Sequence, residues 1–303
     1  MRIGNSSQVS PYALSHRMGM VADYKDQYQH DFAKVYTDED LYLKPLLLHR
    51  SAAIKQIRDI LGDPVLRVDS NGNVLQRKTA VVMVANEGVM DLVMNLLCSC
   101  RAADIDTSNY VIYVGSESDV VILENMGVHA IYNPILGSIP KSAAFNYGDA
   151  VFTRMMWLKV TSVYVAAAAG YNVLFQDADL VWFKDPIPYM RDLEIFNDPN
   201  DPTDMIFMDD GGRTPRFTPF FVNSGFYFQR YNERTLYLME LMLKSVSEIA
   251  TTHSHQATLI RHLVEAHDML GMYLACFILW FPVQWPCAIV PVLCSWMVNH
   301  ETL

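Results

Sequence analysis

Two aspartates, one residue apart, follow a short apolar run in the middle of the chain. Residues 173–176 read Val-Leu-Phe-Gln, and Asp177 and Asp179 come directly after them. A run of this length predicts a buried strand, and ligands of open α/β sheets bind where such strands end. Carboxylates are hard oxygen ligands that suit Mg²⁺ or Mn²⁺, and phosphate oxygens can complete the coordination. The residues therefore predict metal-bridged binding of a diphosphate, with a pair of solvated turn carboxylates as the alternative.

A lysine lies on the apolar face of the helix predicted over residues 149–168. Lys159 falls inside the stripe that this helix would bury. An ammonium group that leaves water needs an anionic partner, because its desolvation is costly. A diphosphate is one candidate partner, and a structural carboxylate such as Asp149 or Asp185 is another. A side chain that reaches back to solvent is the third interpretation.

Two polar clusters follow strand-like segments later in the chain. They are Asp209 and Asp210, before a glycine pair, and Asn223, Ser224 and Gly225, between apolar segments 220–222 and 226–229. The first cluster could line an acceptor site or form a turn. In the second, the glycine could permit close approach of a sugar and the amide could both donate and accept hydrogen bonds. A strand bulge is the structural alternative.

The elements that must position these residues alternate between strand and helix from residue 79 onward. Strands are predicted at 80–85, 110–114, 128–132 and 173–176, with helices at 89–100, 118–126 and 149–168 between them. Such a succession predicts a mostly parallel sheet covered by helices. Later segments predict short strands at 205–208, 220–222 and 226–229, followed by helices around 236–246 and 259–264. A flavodoxin-like domain stays open on pattern alone.

The aspartate pair in its longer context resembles the nucleotide-diphospho-sugar transferase family of GT-A-fold glycosyltransferases. The matching segments are Trp-Leu-Lys at 157–159, residues 170–179, residues 181–186, and Val-Asn-Ser-Gly-Phe-Tyr at 222–227. The resemblance implies a GT-A-like, Rossmann-type, mostly parallel sheet flanked by helices, with a mixed acceptor half. It also implies Mn²⁺- or Mg²⁺-dependent transfer of a hexosyl or pentosyl group from a nucleoside-diphosphate sugar to a glycan or protein hydroxyl.

The resemblance also assigns roles to individual residues. Asp179 is expected to contact the metal directly, and Asp177 to contact the metal or the nucleotide ribose. Asn86, just past the first strand of the series, is expected to meet the nucleobase or ribose, and Lys159 to contact the donor. Relatives often carry an Asp-Gln pair where this chain has His255 and Gln256, so only Gln256 is expected to line the pocket.

Three segments are expected. Residues 1–78 form a helical lead-in with a hairpin turn near residues 70–73, and residues 79–272 form the transferase domain. Residues 273–303 form an atypical apolar tail that contains three prolines. A membrane anchor, a buried core extension and translated non-coding sequence are the three explanations. The last is favoured, because the resemblance stops near Met272.

The formal net charge of −10, without a Lys/Arg patch, excludes nucleic acid as the expected partner. Residues 1–10 lack the apolar region of a signal peptide, so Golgi or secretory localisation, with membrane association, is expected only from the resemblance. Two alternative functions stay open. One is a haloacid-dehalogenase-like phosphatase, whose strand also ends in Asp-x-Asp, and the other is a catalytically inactive sugar-nucleotide-binding module.

Overall fold

The computed structural model describes residues 39–188, 203–210, 222–270 and 272–277. One turn of π-helix, Glu39–Leu43, leads into α1, Lys44–Leu61. The hairpin β1–β2, Val65–Val68 and Val74–Arg77, follows. Its turn places Gly72 at φ +84°, a left-handed backbone that glycine adopts without strain. The predicted helical lead-in and hairpin are thus confirmed over the described residues.

The alternating series has these bounds: β3 Thr79–Ala85, a 3₁₀ turn Glu87–Val89, α2 Met90–Ala102, β4 Tyr110–Val114, α3 Glu117–Asn125, β5 His129–Ile131, α4 Ala150–Ala168 and β6 Asn172–Gln176. The remaining elements are β7 Thr203–Asp209, β8 Val222–Gln229, α5 Glu233–Lys244, α6 Val246–Thr252, α7 His255–Leu270 and β9 Tyr273–Phe277. The predicted strands and helices of the first series are all present, with small shifts at their ends. The single helix predicted around 236–246 is two helices, α5 and α6.

Seven strands form one sheet in the order β5-β4-β3-β6-β8-β7-β9. Strands β5, β4, β3 and β6 pair in parallel, and β8 pairs antiparallel with both β6 and β7. Helices α1 and α4–α7 cover one face, while α2 packs on the other. The sheet is therefore a GT-A-like α/β arrangement, because the antiparallel β8 makes its second half mixed and departs from the all-parallel flavodoxin-like alternative.

Strand β8 runs from Val222 to Gln229, through the gap between the short strands predicted at 220–222 and 226–229; residues 220 and 221 lie outside the described residues. The register of β8 against β7 passes from Tyr227 opposite Phe207 to Asn223 opposite Met208, so residues 224–226 bulge out of that ladder. The bulged residues lie against the end of β6, where the backbone N–H of Asp177 donates to the carbonyl of Gly225 at 2.8 Å. The bulge therefore carries β8 to the residue that follows β6.

The segment boundary predicted after Met272 falls directly before a strand of the sheet, and the division into segments stays a prediction. Strand β9 begins at Tyr273 and pairs in parallel with β7 at the edge of the sheet, so the core-extension explanation holds for residues 273–277. The rest of the predicted tail, 278–303, and the predicted lead-in before residue 39 lie outside the described residues. Among the helices of the described residues, none combines the length and the apolar character needed to cross a bilayer.

Candidate active site at the end of strand β6

A buried lysine and the first aspartate of the pair form an ion pair where β6 ends. The Nζ of Lys159, on α4, contacts Oδ1 of Asp177. Lys159 is only 9% exposed, and a third of the Asp177 side chain is exposed. The two other carboxylates considered as partners are used locally. Asp149 caps α4 by accepting from the N–H of Phe152 at 2.8 Å, and Asp185 accepts from the N–H of Ile187 at 2.9 Å.

Burial controls the charges around this ion pair. It raises the pKa of the Asp177 carboxyl above its ordinary value, while the Lys159 ammonium opposes that rise and nearby Asp179 adds to it. His255 lies at the start of α7 with its Nδ1 2.9 Å from the sulfur of Met156. Burial, and next the charge of Lys159, lower the pKa of His255 to about 3. The ring is therefore neutral and adds no second positive charge beside Lys159.

Gly225 leaves the space that the Asp177 carboxylate occupies. A methyl group at Gly225 would lie 2.5 Å from Oδ2 of Asp177 and 2.9 Å from Oδ1 of Asn223. Both separations are far below van der Waals contact, and residues with a β-carbon do not tolerate them. The bulge of β8 thus needs glycine here for close packing.

A hydrogen-bond network continues from Gly225 to the other predicted pocket residues. The side chain of Asn223 accepts from the N–H of Gly225 at 2.6 Å and donates to Oδ1 of Asp210 at 2.7 Å. Gln256, on α7, accepts at 2.9 Å from both the N–H and the hydroxyl of Ser224. Its amide nitrogen lies 3.5 Å from Oδ2 of Asp210. The structure thus brings Asp210, the bulge and α7 together beside Asp177.

Asp179 has a more open environment than Asp177. It is exposed in the turn after β6, and no side chain within the described ranges forms an ion pair with it. The following turn is anchored by Trp182, whose indole N–H donates to Gln176 at 2.7 Å and whose backbone N–H donates to Ser99 at 2.9 Å. The anchor holds the turn against α2 and leaves the Asp179 carboxylate in solvent.

These residues fit a divalent cation that is shared with a ligand. Carboxylate oxygens suit Mg²⁺ and Mn²⁺, and phosphate oxygens and water usually complete such sites. Over the described part of the chain, no cluster of three or more His, Cys, Asp or Glu side chains forms a metal site by itself. A cation at Asp179 would therefore depend on ligand oxygens for much of its coordination.

Two further predicted site residues lie at the ends of strands β3 and β7. Asn86 is fully buried after β3, and its amide donates to the carbonyls of Pro140 and Ser142 at 2.7 Å. It fixes the loop between β5 and α4, and its contact with a nucleotide stays a prediction. Asp209 ends β7 opposite Val222, and its role in the pocket also stays a prediction. The sequence did not predict that His255 is buried close to Lys159. The only signal was that His255 stands where relatives often carry the aspartate of an Asp-Gln pair.

Comparison with known proteins agrees with this geometry. The family model for nucleotide-diphospho-sugar transferases matches residues 111–279, which is more than half of the chain and includes β9. The beta-arabinofuranosyltransferase RAY1 of Arabidopsis thaliana is 27% identical over 174 residues, which cover 56% of this chain and 30% of RAY1. The UDP-galactose:fucoside alpha-3-galactosyltransferase of Dictyostelium discoideum is 27% identical over 187 residues, covering 54% of this chain and 28% of that protein.

Two further proteins are similar to this chain. The arabinosyltransferase XEG113 of Arabidopsis thaliana is 28% identical over 119 residues, covering 39% of this chain and 18% of XEG113. A solved mycobacterial protein covers 66% of this chain and 65% of its own length, with a TM-score of 0.36 and 15% identity. The chain spans less than a third of the length of the relatives RAY1, the galactosyltransferase and XEG113. Because the family model matches more than half of the chain, the chain belongs to the nucleotide-diphospho-sugar transferase family.

Proposed function

We propose that this protein is a glycosyltransferase that moves a sugar from a nucleoside-diphosphate sugar to a hydroxyl of a glycan or glycoprotein. The observation that carries the proposal is the arrangement at the end of β6. A buried Lys159–Asp177 pair stands beside the exposed Asp179, in a chain of the nucleotide-diphospho-sugar transferase family. The printed activities of the relatives, arabinosyl and galactosyl transfer, make pentoses and hexoses the donor sugars to test first.

Asp179 would hold Mn²⁺ or Mg²⁺ together with the donor diphosphate. When bound, the cation would offset the negative charge that builds up on the departing nucleoside diphosphate. Asp177 would contact the cation or the ribose through the part of its carboxylate that Lys159 does not cover. Lys159 keeps Asp177 in place, because the ion pair fixes one carboxylate oxygen and the packed helix α4 fixes the lysine.

The network on the mixed half of the sheet would bind the sugars. The Asp210 carboxylate, oriented by Asn223, can accept hydrogen bonds from sugar hydroxyls. Gln256 and Ser224 hold the bulge in place, and Gly225 lets Asp177 approach the backbone of β8. Asp209 is proposed to line the same site, and Asn86, which is buried, to support it by fixing the loop between β5 and α4. Golgi or secretory localisation, with membrane association, goes with this function.

The test is release and transfer of sugar by the whole chain. UDP-galactose and UDP-arabinose serve as donors and methyl fucoside as an acceptor, each with Mn²⁺ and with a chelator. We expect Mn²⁺-dependent release of UDP. Asp179→Asn should reduce it by more than the roughly 10–100-fold that loss of an outer-shell partner of a metal ligand costs. Asp185→Asn, a change in a nearby loop aspartate, is the matched control and should retain activity.

The two alternative functions predict different results in the same assay. Mn²⁺-dependent binding of UDP without turnover of any donor would assign the chain as an inactive sugar-nucleotide-binding module. Hydrolysis of p-nitrophenyl phosphate, without binding of UDP, would support the haloacid-dehalogenase-like phosphatase. Either result would overturn the proposal of sugar transfer.

A further inference from the structure

Two exposed aromatic side chains stand on the loop between β5 and α4. Phe145 is 91% exposed and Tyr147 is 75% exposed. The candidate active site uses neither ring. Large apolar groups that stay exposed to water are costly to hydrate, so two of them on one short loop indicate a binding surface.

The loop that carries them is held at both ends. Asn86 donates to the carbonyls of Pro140 and Ser142, and the N–H of Gly88 donates to the carbonyl of Lys141 at 2.8 Å. At the other end, Oδ2 of Asp149 accepts from the N–H of Phe145 at 2.7 Å. The backbone that presents the rings is therefore ordered before any ligand binds.

Tyr147 is itself fixed in one orientation. Its hydroxyl donates to the hydroxyl of Ser254 at 3.0 Å, and its ring lies against Phe152 with centroids 4.5 Å apart. Most of its surface nevertheless stays open to solvent. An exposed ring that is already fixed loses little side-chain freedom on binding, which favours its use as a recognition surface.

The contacts of Tyr147 place it on the mixed half of the sheet. Ser254 precedes the start of α7 and lies two residues before Gln256, which holds Ser224 of the β8 bulge. Along α4, Lys159 lies about 13 Å beyond the first residue of the helix, at 1.5 Å per residue. The ring therefore lies outside the Lys159–Asp177 pair, toward the start of α4. Under the proposed function, the network around Gln256 is the part of the site that binds sugars.

We propose that Tyr147 and Phe145 form a stacking subsite for a sugar ring of the acceptor glycan, an inference that rests on the proposed glycosyl transfer. The faces of sugar rings carry polarised C–H groups, which are attracted to the negative face of an aromatic ring. The nucleobase of the donor is the competing occupant. It is disfavoured because Tyr147 contacts α4 and the α6–α7 junction, whereas the nucleobase is expected at Asn86, which holds the other end of the loop.

The test uses the full chain and three glycosides: methyl fucoside, methyl galactoside and methyl arabinofuranoside. Their binding is measured by saturation-transfer NMR, and the binding of UDP with Mn²⁺ is measured by calorimetry. Tyr147→Leu and Phe145→Leu keep an apolar side chain but remove the ring. We expect each to weaken binding of at least one glycoside by roughly three- to tenfold, the range of one aromatic contact, with unchanged UDP affinity.

Tyr237→Leu is the matched control. Tyr237 is a partly exposed tyrosine on α5, outside the loop that carries Phe145 and Tyr147 and outside the candidate active site. The proposal is overturned if no glycoside binds the unaltered chain, if the two ring-free variants bind like the control, or if they lose UDP affinity instead. Glycoside binding that depends on Tyr147, in a chain without transferase activity, would refute the proposed reaction but keep the subsite.

Discussion

Gly225→Ala tests the packing of the candidate site with the smallest possible change. The added methyl group would lie 2.5 Å from Oδ2 of Asp177, and the carboxylate must withdraw by about 0.9 Å to restore ordinary contact at 3.4 Å. It cannot swing freely, because Lys159 holds its other oxygen and Asn223 Oδ1 lies 2.9 Å from the same methyl group. Overpacking of this kind costs about 1–3 kcal/mol of stability.

The effect on function should exceed the effect on stability. A misplacement near 1 Å in a reacting site can cost about 100-fold in rate. We therefore expect Gly225→Ala to reduce Mn²⁺-dependent sugar release by that order while the chain stays folded by circular dichroism. Donor turnover, UDP affinity with Mn²⁺ and urea unfolding are measured on the same preparation.

Gly115→Ala is the control for the substitution itself. Gly115 follows β4, and its methyl group would meet Ile139 at 3.1 and 3.3 Å and Cβ of Asn86 at 3.5 Å, an ordinary van der Waals separation, without contact to Asp177. This variant should keep its UDP affinity. If Gly225→Ala binds UDP and turns over donor as well as Gly115→Ala does, the close packing of Asp177 against Gly225 is not needed for activity, and the reasoning is refuted.

The ion pair, the buried histidine and the last strand each lead to one further expectation. Lys159→Met should weaken Mn²⁺-dependent UDP binding by roughly 10–100-fold by calorimetry, because Asp177 loses the group that orients it; unchanged affinity would assign the lysine to stability alone. The pKa of His255 is lowered in the folded protein from 6.5 to about 3. The free energy of unfolding therefore has its full value with respect to this group above pH 6.5 and decreases as the pH falls from 6.5 toward 3, because the unfolded chain then binds the proton more readily. His255→Gln should flatten this decline in urea unfolding, and equal slopes would contradict it. A chain that ends at Met272 lacks β9 and leaves β7 as an open edge, so it should melt lower and aggregate; unchanged melting would argue against β9.

Most of the elements could be predicted because their signals are local. Alternation of apolar strands with amphipathic helices is visible in windows of about 11–18 residues, and the structure has strands and helices in that order. The turn at Gly72 and the cap at Asp149 are likewise encoded within a few residues. The structure differs from the predictions at β8, at β9 and at the predicted helix that is divided into α5 and α6. A bulge and an edge strand are defined by the neighbouring strands that pair with them, and neither has a periodicity of its own.

The sequence by itself determined that Asp177 and Asp179 follow the end of a buried strand, because the strand and the two aspartates lie in one short segment of the chain. It determined that Lys159 needs a partner, since Lys159 falls inside the apolar stripe of its helix. Only the tertiary structure decided that the partner is Asp177, and that Gly225 and Gln256 come from two other elements to enclose it. The physical reason is that ion pairs and close packing depend on distances between elements far apart in sequence. Those distances are set by how the sheet and its helices pack together, which no local pattern records.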